Sequence, residues 1–318
     1  MSRPRVVFMG TPAFAVPALH AVAGRCEVVS VVTPPDRPRG RGLATEPCPV
    51  AAAAETLGLP ALRREDMRSE SVQRELAALR ADLFAVVAFG SILSGALLRT
   101  PRLGCVNLHG SLLPEYRGAS PVQRALWDGR AWTGVSTLWM DEGIDTGEVI
   151  LQAWLAIEPA HDAGTLAAAL AERGAPLLAE SLVRAHDGTA PRHPQDRAAG
   201  SYAKKLRKED GEVDWKLDAV VVWNRQRAVT PWPGAATSFD GRRVQILGCL
   251  PAHLLPAGAA PGTVLDAGDE VTVACGRGAL SLRTVKPEGR GAMPAADWAR
   301  GARLQAGAQL GAPREAHA

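Results

Sequence analysis

The sequence has no apolar run long enough to cross a membrane, no Cys-x-x-Cys, no Gly-x-Gly-x-x-Gly and only five lysines. Each absence narrows the reading. Its five cysteines (Cys26, Cys48, Cys105, Cys249 and Cys275) are scattered and lack partner histidines, so neither a zinc site nor a disulfide framework is expected, and no bound metal. The apolar run after Arg5 extends only from Val6 to Met9 before Gly10 intervenes, which is too short for a signal peptide. A cytoplasmic protein with no membrane partner is the expectation. The turn after that run reads Gly10-Thr11-Pro12, which argues against a dinucleotide site. Net charge is small too. The formal balance is +3, made of −1 up to Gly200 and +4 from Ser201 onward. A mildly basic C-terminal part permits contact with a polyanion without requiring it.

What is present suits two ordinary domains, since 318 residues with 47% apolar and 22% charged residues can bury two cores and are not disordered. Arg5 to Gly10 reads as a buried strand, Phe14 to Ala23 as a helix with Pro12 near its start, and Glu27 to Val32 as a second strand. Strand, helix and strand in so short a span make a βαβ unit and predict a parallel sheet. A loop rich in Pro and Gly follows, from Thr33 to Leu43, carrying Arg37, Arg39 and Arg41. Guanidinium forks suit phosphates, and long loops in compact domains tend to have a use. Helices are expected over Val50 to Leu57, around Val72, Leu76 and Leu79, and over Ser120 to Trp127 and Thr165 to Ala185. Leu83 to Phe89, Gly134 to Met140 and Val149 to Trp154 read as strands. Asp187 to Ser201 is polar and non-periodic. After a helix over Asp218 to Ala228, halted by Thr230-Pro231-Trp232-Pro233-Gly234, come short strands separated by turns, the pattern of a small antiparallel barrel.

The stretch with most chemistry is Cys105 to Pro114. Alternation makes Cys105 to His109 a strand, and residues two apart share a face, so Asn107 and His109 lie side by side where it ends. Singly, each has an ordinary structural role: a satisfied histidine, an asparagine at a turn. Downstream, the loop Met140 to Glu148 holds two glycines and four acids between apolar runs. An acid from that loop beside His109 would complete a carboxylate, imidazole and amide set, which suits acyl transfer.

Several motifs, in order and spread over nearly the whole chain, resemble the methionyl-tRNA formyltransferase family. They are Gly10-Thr11-Pro12-x-Phe14-Ala15, Pro35-Asp36-Arg37-Pro38-x-Gly40-Arg41-Gly42, Asn107-x-His109-Gly110-Ser111-Leu112-Leu113-Pro114-x-Tyr116-Arg117-Gly118 and Asp141-x-Gly143-x-Asp145-Thr146-Gly147. Tyr202-Ala203-x-Lys205-Leu206-x-Lys208-Glu209-Asp210-Gly211 and Arg227-Ala228-x-x-Pro231-Trp232-Pro233-Gly234 extend the match. The resemblance implies an α/β fold: a Rossmann-like formyltransferase domain with a parallel-rich sheet (residues 1–186), a linker (187–203) and a small C-terminal OB-like β-barrel that contacts tRNA (204–318). It implies transfer of a formyl group from 10-formyltetrahydrofolate to the α-amino group of initiator methionyl-tRNA. The family's catalytic set falls on Asn107, His109 and Asp145, its folate segment on Ser111, Leu112, Leu113 and Pro114, and its tRNA-gripping loop on Pro34 to Pro49, with Arg37, Arg39 and above all Arg41. A monomer is expected. The chain departs from the pattern at Leu43-Ala44 and Ala51, where lysines are frequent, at Cys48 and at Phe89. A sugar-nucleotide N-formyltransferase using the same folate donor is the alternative, since it shares the Asn, His and Asp device. A non-catalytic RNA-binding protein would need no such set.

Overall fold

Continuous apolar runs become central parallel strands because both sheet faces are covered. Val6, Val7, Phe8 and Met9 are fully buried, and Leu83–Val87 is buried throughout. The computed structural model describes residues 2–39, 44–196, 198–252 and 258–311, with the side chains of 37–39, 44 and 45 outside the description. The chain divides into two units, Met1–Pro121, Trp132–Ala156 and Ala167–Ala203 in the first, Val122–Ala131, Ile157–Leu166 and Lys204–Ala318 in the second.

The first unit is built on a seven-stranded sheet. Its strands are β1 (Arg5–Gly10), β2 (Glu27–Thr33), β3 (Ala61–Arg63), β4 (Leu83–Val87), β5 (Gly104–His109), β6 (Trp132–Trp139) and β7 (Val149–Ala156), in spatial order β7-β6-β5-β4-β1-β2-β3. β3, β2, β1, β4 and β5 run parallel, while β6 and β7 are antiparallel additions beyond β5. β5 is therefore the last parallel strand, and its C-terminal end opens where the sheet changes direction. Ligands of open α/β sheets bind at such carboxyl edges. Residues 187–203 belong with this unit. His193 exchanges backbone hydrogen bonds with Val149, and Tyr202–Ala203 pairs in parallel with Arg117–Gly118.

The second unit carries an antiparallel sheet of β8 (Ala235–Phe239), β9 (Arg242–Ala252), β10 (Val264–Ala267), β11 (Val271–Ala274) and β12 (Ala279–Pro287), in order β8-β9-β12-β11-β10, with β13 (Met293–Pro294) beside β12. Its inward faces, among them Val244, Ile246, Val273, Leu280 and Leu282, pack with Trp215 and Trp298. The expected barrel is not closed, because no ladder joins the edge strands β8 and β10 among the described residues. Two register breaks interrupt the pairing of β9 with β12 near Gly248.

Candidate active site

Asn107 and His109 leave the same face of β5, and both are met by the loop between β6 and β7. The Asp145 carboxylate accepts from Asn107 Nδ2 at 3.2 Å and from the Gly118 backbone N–H at 2.8 Å. Its Oδ2 lies 3.6 Å from His109 Nδ1. His109 is 6% exposed and the Asp145 side chain 15%, so their interaction is little diluted by water. The three residues from distant parts of the sequence thus converge.

The other ring nitrogen fixes the tautomer. His109 Nε2 is 2.9 Å from the Tyr116 carbonyl oxygen, which can only accept, so Nε2 carries a hydrogen. In the neutral ring Nδ1 then holds the lone pair, and Nδ1 is the nitrogen able to take and return a proton. That nitrogen faces the carboxylate. Tyr116 and Asp145 both adopt left-handed backbone angles (φ 59° and 54°), an unfavourable conformation that persists only where surroundings hold it.

Two glycines make the approach possible. Gly118 has φ 106°, and a Cβ there would lie 2.9 Å from the Ala203 carbonyl oxygen. At Gly147 a Cβ would overlap the Trp139 carbonyl oxygen, at 1.7 Å. The other acids of the loop are engaged elsewhere. Asp141 accepts from Thr146 Oγ1 and the Gly143 N–H, Glu142 pairs with Arg99, and Glu148 pairs with Arg192.

The expected folate segment forms the loop after β5. Ser111 is fully buried, and its hydroxyl donates to the Glu115 carbonyl at 2.5 Å, so it shapes the loop from within. Ser136 on β6 accepts from the Leu113 N–H and donates to the Ser111 carbonyl, while Gln152 donates to the Leu113 carbonyl. Leu112 is partly exposed, and Leu113 packs with Leu138 and Val149. Leu113 and Pro114 line a cavity of about 500 Å³ together with Leu151, Gln152, His193 and Asp196, a size suited to a small-molecule ligand. The side chains of Asn107, His109 and Asp145 do not line it.

The arginine loop contributes less to the picture. Arg37–Arg39 and Ala44–Glu46 pair as an antiparallel ribbon, while Arg41 and the side chains of Arg37 and Arg39 lie outside the described residues. Cys105, on β5 itself, is buried against the Leu98 carbonyl, and burial pushes its thiol up to about 12, which rules it out as a thiolate nucleophile near neutral pH. Among the described residues no group of three or more His, Cys, Asp or Glu could hold a metal ion. No described helix is long and apolar enough to cross a membrane.

Sequence reasoning missed Gln195. Its Nε2 donates to the Asp145 carbonyl at 2.8 Å and to the Gly147 carbonyl at 2.7 Å, while its Oε1 accepts from Arg117. No sequence signal marks it, because it sits in a polar stretch without periodicity and acts on backbone atoms.

The formyl transferase family model matches residues 5–182, and the model for the formyl transferase C-terminal domain matches residues 205–303. The chain is 44% identical over 309 residues to the methionyl-tRNA formyltransferase of Moorella thermoacetica, covering 96% of this chain and 99% of that protein. It is 42% identical over 313 residues to the methionyl-tRNA formyltransferase of Citrifermentans bemidjiense, covering 98% of both. Among solved structures, the N-formyltransferase from Helicobacter canadensis in complex with folinic acid and dTDP-3-aminofucose aligns with a TM-score of 0.66 at 16% identity, over 89% of this chain and 99% of that one. HypX from Aquifex aeolicus in complex with tetrahydrofolic acid aligns at 0.62 and 17% identity, over 94% of this chain and 47% of that one. At such identities these structures bear on the fold alone.

Proposed function

This chain belongs to the methionyl-tRNA formyltransferase family, and from that premise we propose how its residues carry the reaction. The enzyme transfers the formyl group of 10-formyltetrahydrofolate to the α-amino group of initiator methionyl-tRNA. Asn107, His109 and Asp145 are its catalytic residues. The observation that carries this assignment is the meeting of the Asp145 carboxylate with both Asn107 Nδ2 and His109 Nδ1.

The chemistry needs little activation of the nucleophile. A free α-amino group titrates at about 7.7–8.0, so a usable neutral fraction exists near pH 7. The barrier lies in the tetrahedral arrangement reached as nitrogen bonds to the formyl carbon, with negative charge on the former carbonyl oxygen and positive charge on the nitrogen. Asn107 donates to that oxygen the second of its two amide hydrogens, while the first stays on the Asp145 carboxylate. An oxyanion donor of this kind contributes about 10²–10³ in rate. His109 Nδ1 takes the proton released by the attacking nitrogen and returns it to the leaving folate nitrogen as the old carbon–nitrogen bond breaks. Asp145 stabilises the imidazolium formed between those two transfers, and the Tyr116 carbonyl keeps the ring oriented.

The folate is a second substrate, placed by the Ser111–Pro114 loop. Leu112, Leu113 and Pro114 offer it apolar surface, and Ser111 holds the loop in shape from inside. The first unit carries the chemistry, with residues 187–203 linking it to a tRNA-contacting part at 204–318. Arg37, Arg39 and Arg41 grip phosphates near the acceptor end. The enzyme acts as a monomer in the cytoplasm. The test offers labelled 10-formyltetrahydrofolate to the protein with charged initiator tRNA in one reaction and amino-sugar nucleotides in another. Label on the methionyl amine is the expected result; label on the sugar amine alone would overturn the reading.

A further inference from the structure

We infer that Gln195 is a positioning residue for Asp145, oriented by the buried Arg117, so that a strap made of Gln195, Asp196, Ala199 and Ser201 sets the geometry of the catalytic loop. The inference rests on the proposed catalytic role of Asp145.

Arg117 is 1% exposed. A guanidinium has five donors and no acceptor, so whatever amide end faces it must be the oxygen. Gln195 Oε1 accepts from Arg117 Nε at 3.1 Å and from Nη2 at 2.9 Å. The orientation of the amide is thereby decided, and its two N–H bonds must point the other way. There they find the carbonyl oxygens of Asp145 and Gly147, two residues apart on the catalytic loop. Every hydrogen-bonding direction of that amide is used. The remaining Arg117 donors reach back to the strap itself, to the Ala199 and Asp196 carbonyls at 3.3 and 3.0 Å.

Asp145 is therefore held from two sides. Its carboxylate accepts from the Gly118 N–H, and its main-chain carbonyl accepts from Gln195, whose partner Arg117 precedes Gly118 in the chain. A residue with φ 54° needs such restraint to stay where it is. The same strap reaches the histidine side of the site. Ser201 Oγ accepts from the Tyr116 N–H and donates to Glu115, and the Tyr116 carbonyl accepts from His109 Nε2. One stretch of chain thus restrains the backbone of Asp145 and, through Tyr116, the far nitrogen of the imidazole.

Gln195→Glu separates positioning from mere folding. A carboxylate still satisfies Arg117, but it cannot donate, and it turns negative oxygen toward the two loop carbonyls. The variant is expected to melt near the wild-type temperature and to lose about 10–100-fold in kcat, since a displacement of about 1 Å at a reacting geometry costs about 10²-fold. The KM for either substrate should stay within about twofold, because ground-state contacts are untouched. Amide hydrogen exchange over residues 141–148 should quicken by about tenfold or more. Arg117→Lys, which keeps the charge but not the two-pronged hold on Oε1, should reproduce both changes more weakly. Both readouts must move together. A fall in kcat without faster loop exchange, faster exchange without a fall in kcat, or a loss confined to KM each overturns the strap. If the wild-type protein formylates no methionyl-tRNA, the functional reading fails instead, and loop exchange in the two variants alone decides whether the strap holds.

Discussion

Asp145→Asn removes one negative charge from the site while sparing its shape. The amide oxygen of the variant can still accept from the Gly118 N–H, so the new side chain keeps one of the two hydrogen bonds of the old. Asparagine also tolerates the left-handed angle of position 145 better than alanine, so the backbone is not the variable. What disappears is the attraction between the carboxylate and an imidazolium formed at Nδ1, 3.6 Å away. At an effective dielectric of about 20 that attraction is about 5 kcal/mol, and residual water at the partly exposed carboxylate reduces it further. A net loss of about 3–4 kcal/mol corresponds to a fall of about 10²–10³ in kcat. The assay is formyl transfer at saturating folate and charged tRNA, with thermal melting as a control for folding. A variant that melts normally and keeps kcat within about tenfold of wild type would refute the role assigned to this charge.

Other outcomes follow from the roles proposed above and from the packing around single residues. Asn107→Ala should lower kcat by about 10²–10³ and leave KM nearly unchanged, measured by steady-state kinetics on both substrates. Arg41→Ala should act on kcat/KM for charged tRNA and spare a short aminoacyl analogue, with the log–log salt slope made shallower by about one. Gly147→Ala places a methyl group onto the Trp139 backbone oxygen and should destabilise the fold by about 3 kcal/mol or more, read as a lowered Tm. At Asp82, burial pushes the carboxyl upward but is outweighed by hydrogen bonds from the Arg5 backbone and Arg102, so its pKa is lowered. A lowered carboxyl favours the fold above its unfolded value, and that contribution is lost as pH falls through the folded one. Asp82→Asn should therefore flatten the acid limb of Tm against pH.

Much of the first unit was legible because its physics is local. Val6 to Met9 and Leu83 to Phe89 read as buried strands, the second of which ends at Val87, before Ala88 turns to φ 45°, and alternation alone put Asn107 and His109 on one face. Which of the four loop acids would meet them was not legible from composition; family resemblance pointed to Asp145. The structure supplies the physical reason, since Asp141, Glu142 and Glu148 have other partners. The open sheet of the second unit escaped the sequence reading because strand count and spacing say nothing about whether edges meet. Gln195 escaped it because an amide acting on carbonyl oxygens leaves no pattern in side chains.

The most direct test of the central claim compares single variants Asn107→Ala, His109→Ala and Asp145→Asn with the triple variant in one formyl-transfer assay on charged initiator tRNA. If the three side chains work as one device, the triple variant falls little further than the worst single. Losses that multiply across the three positions would mean that each side chain acts alone, and would contradict a shared carboxylate, imidazole and amide device.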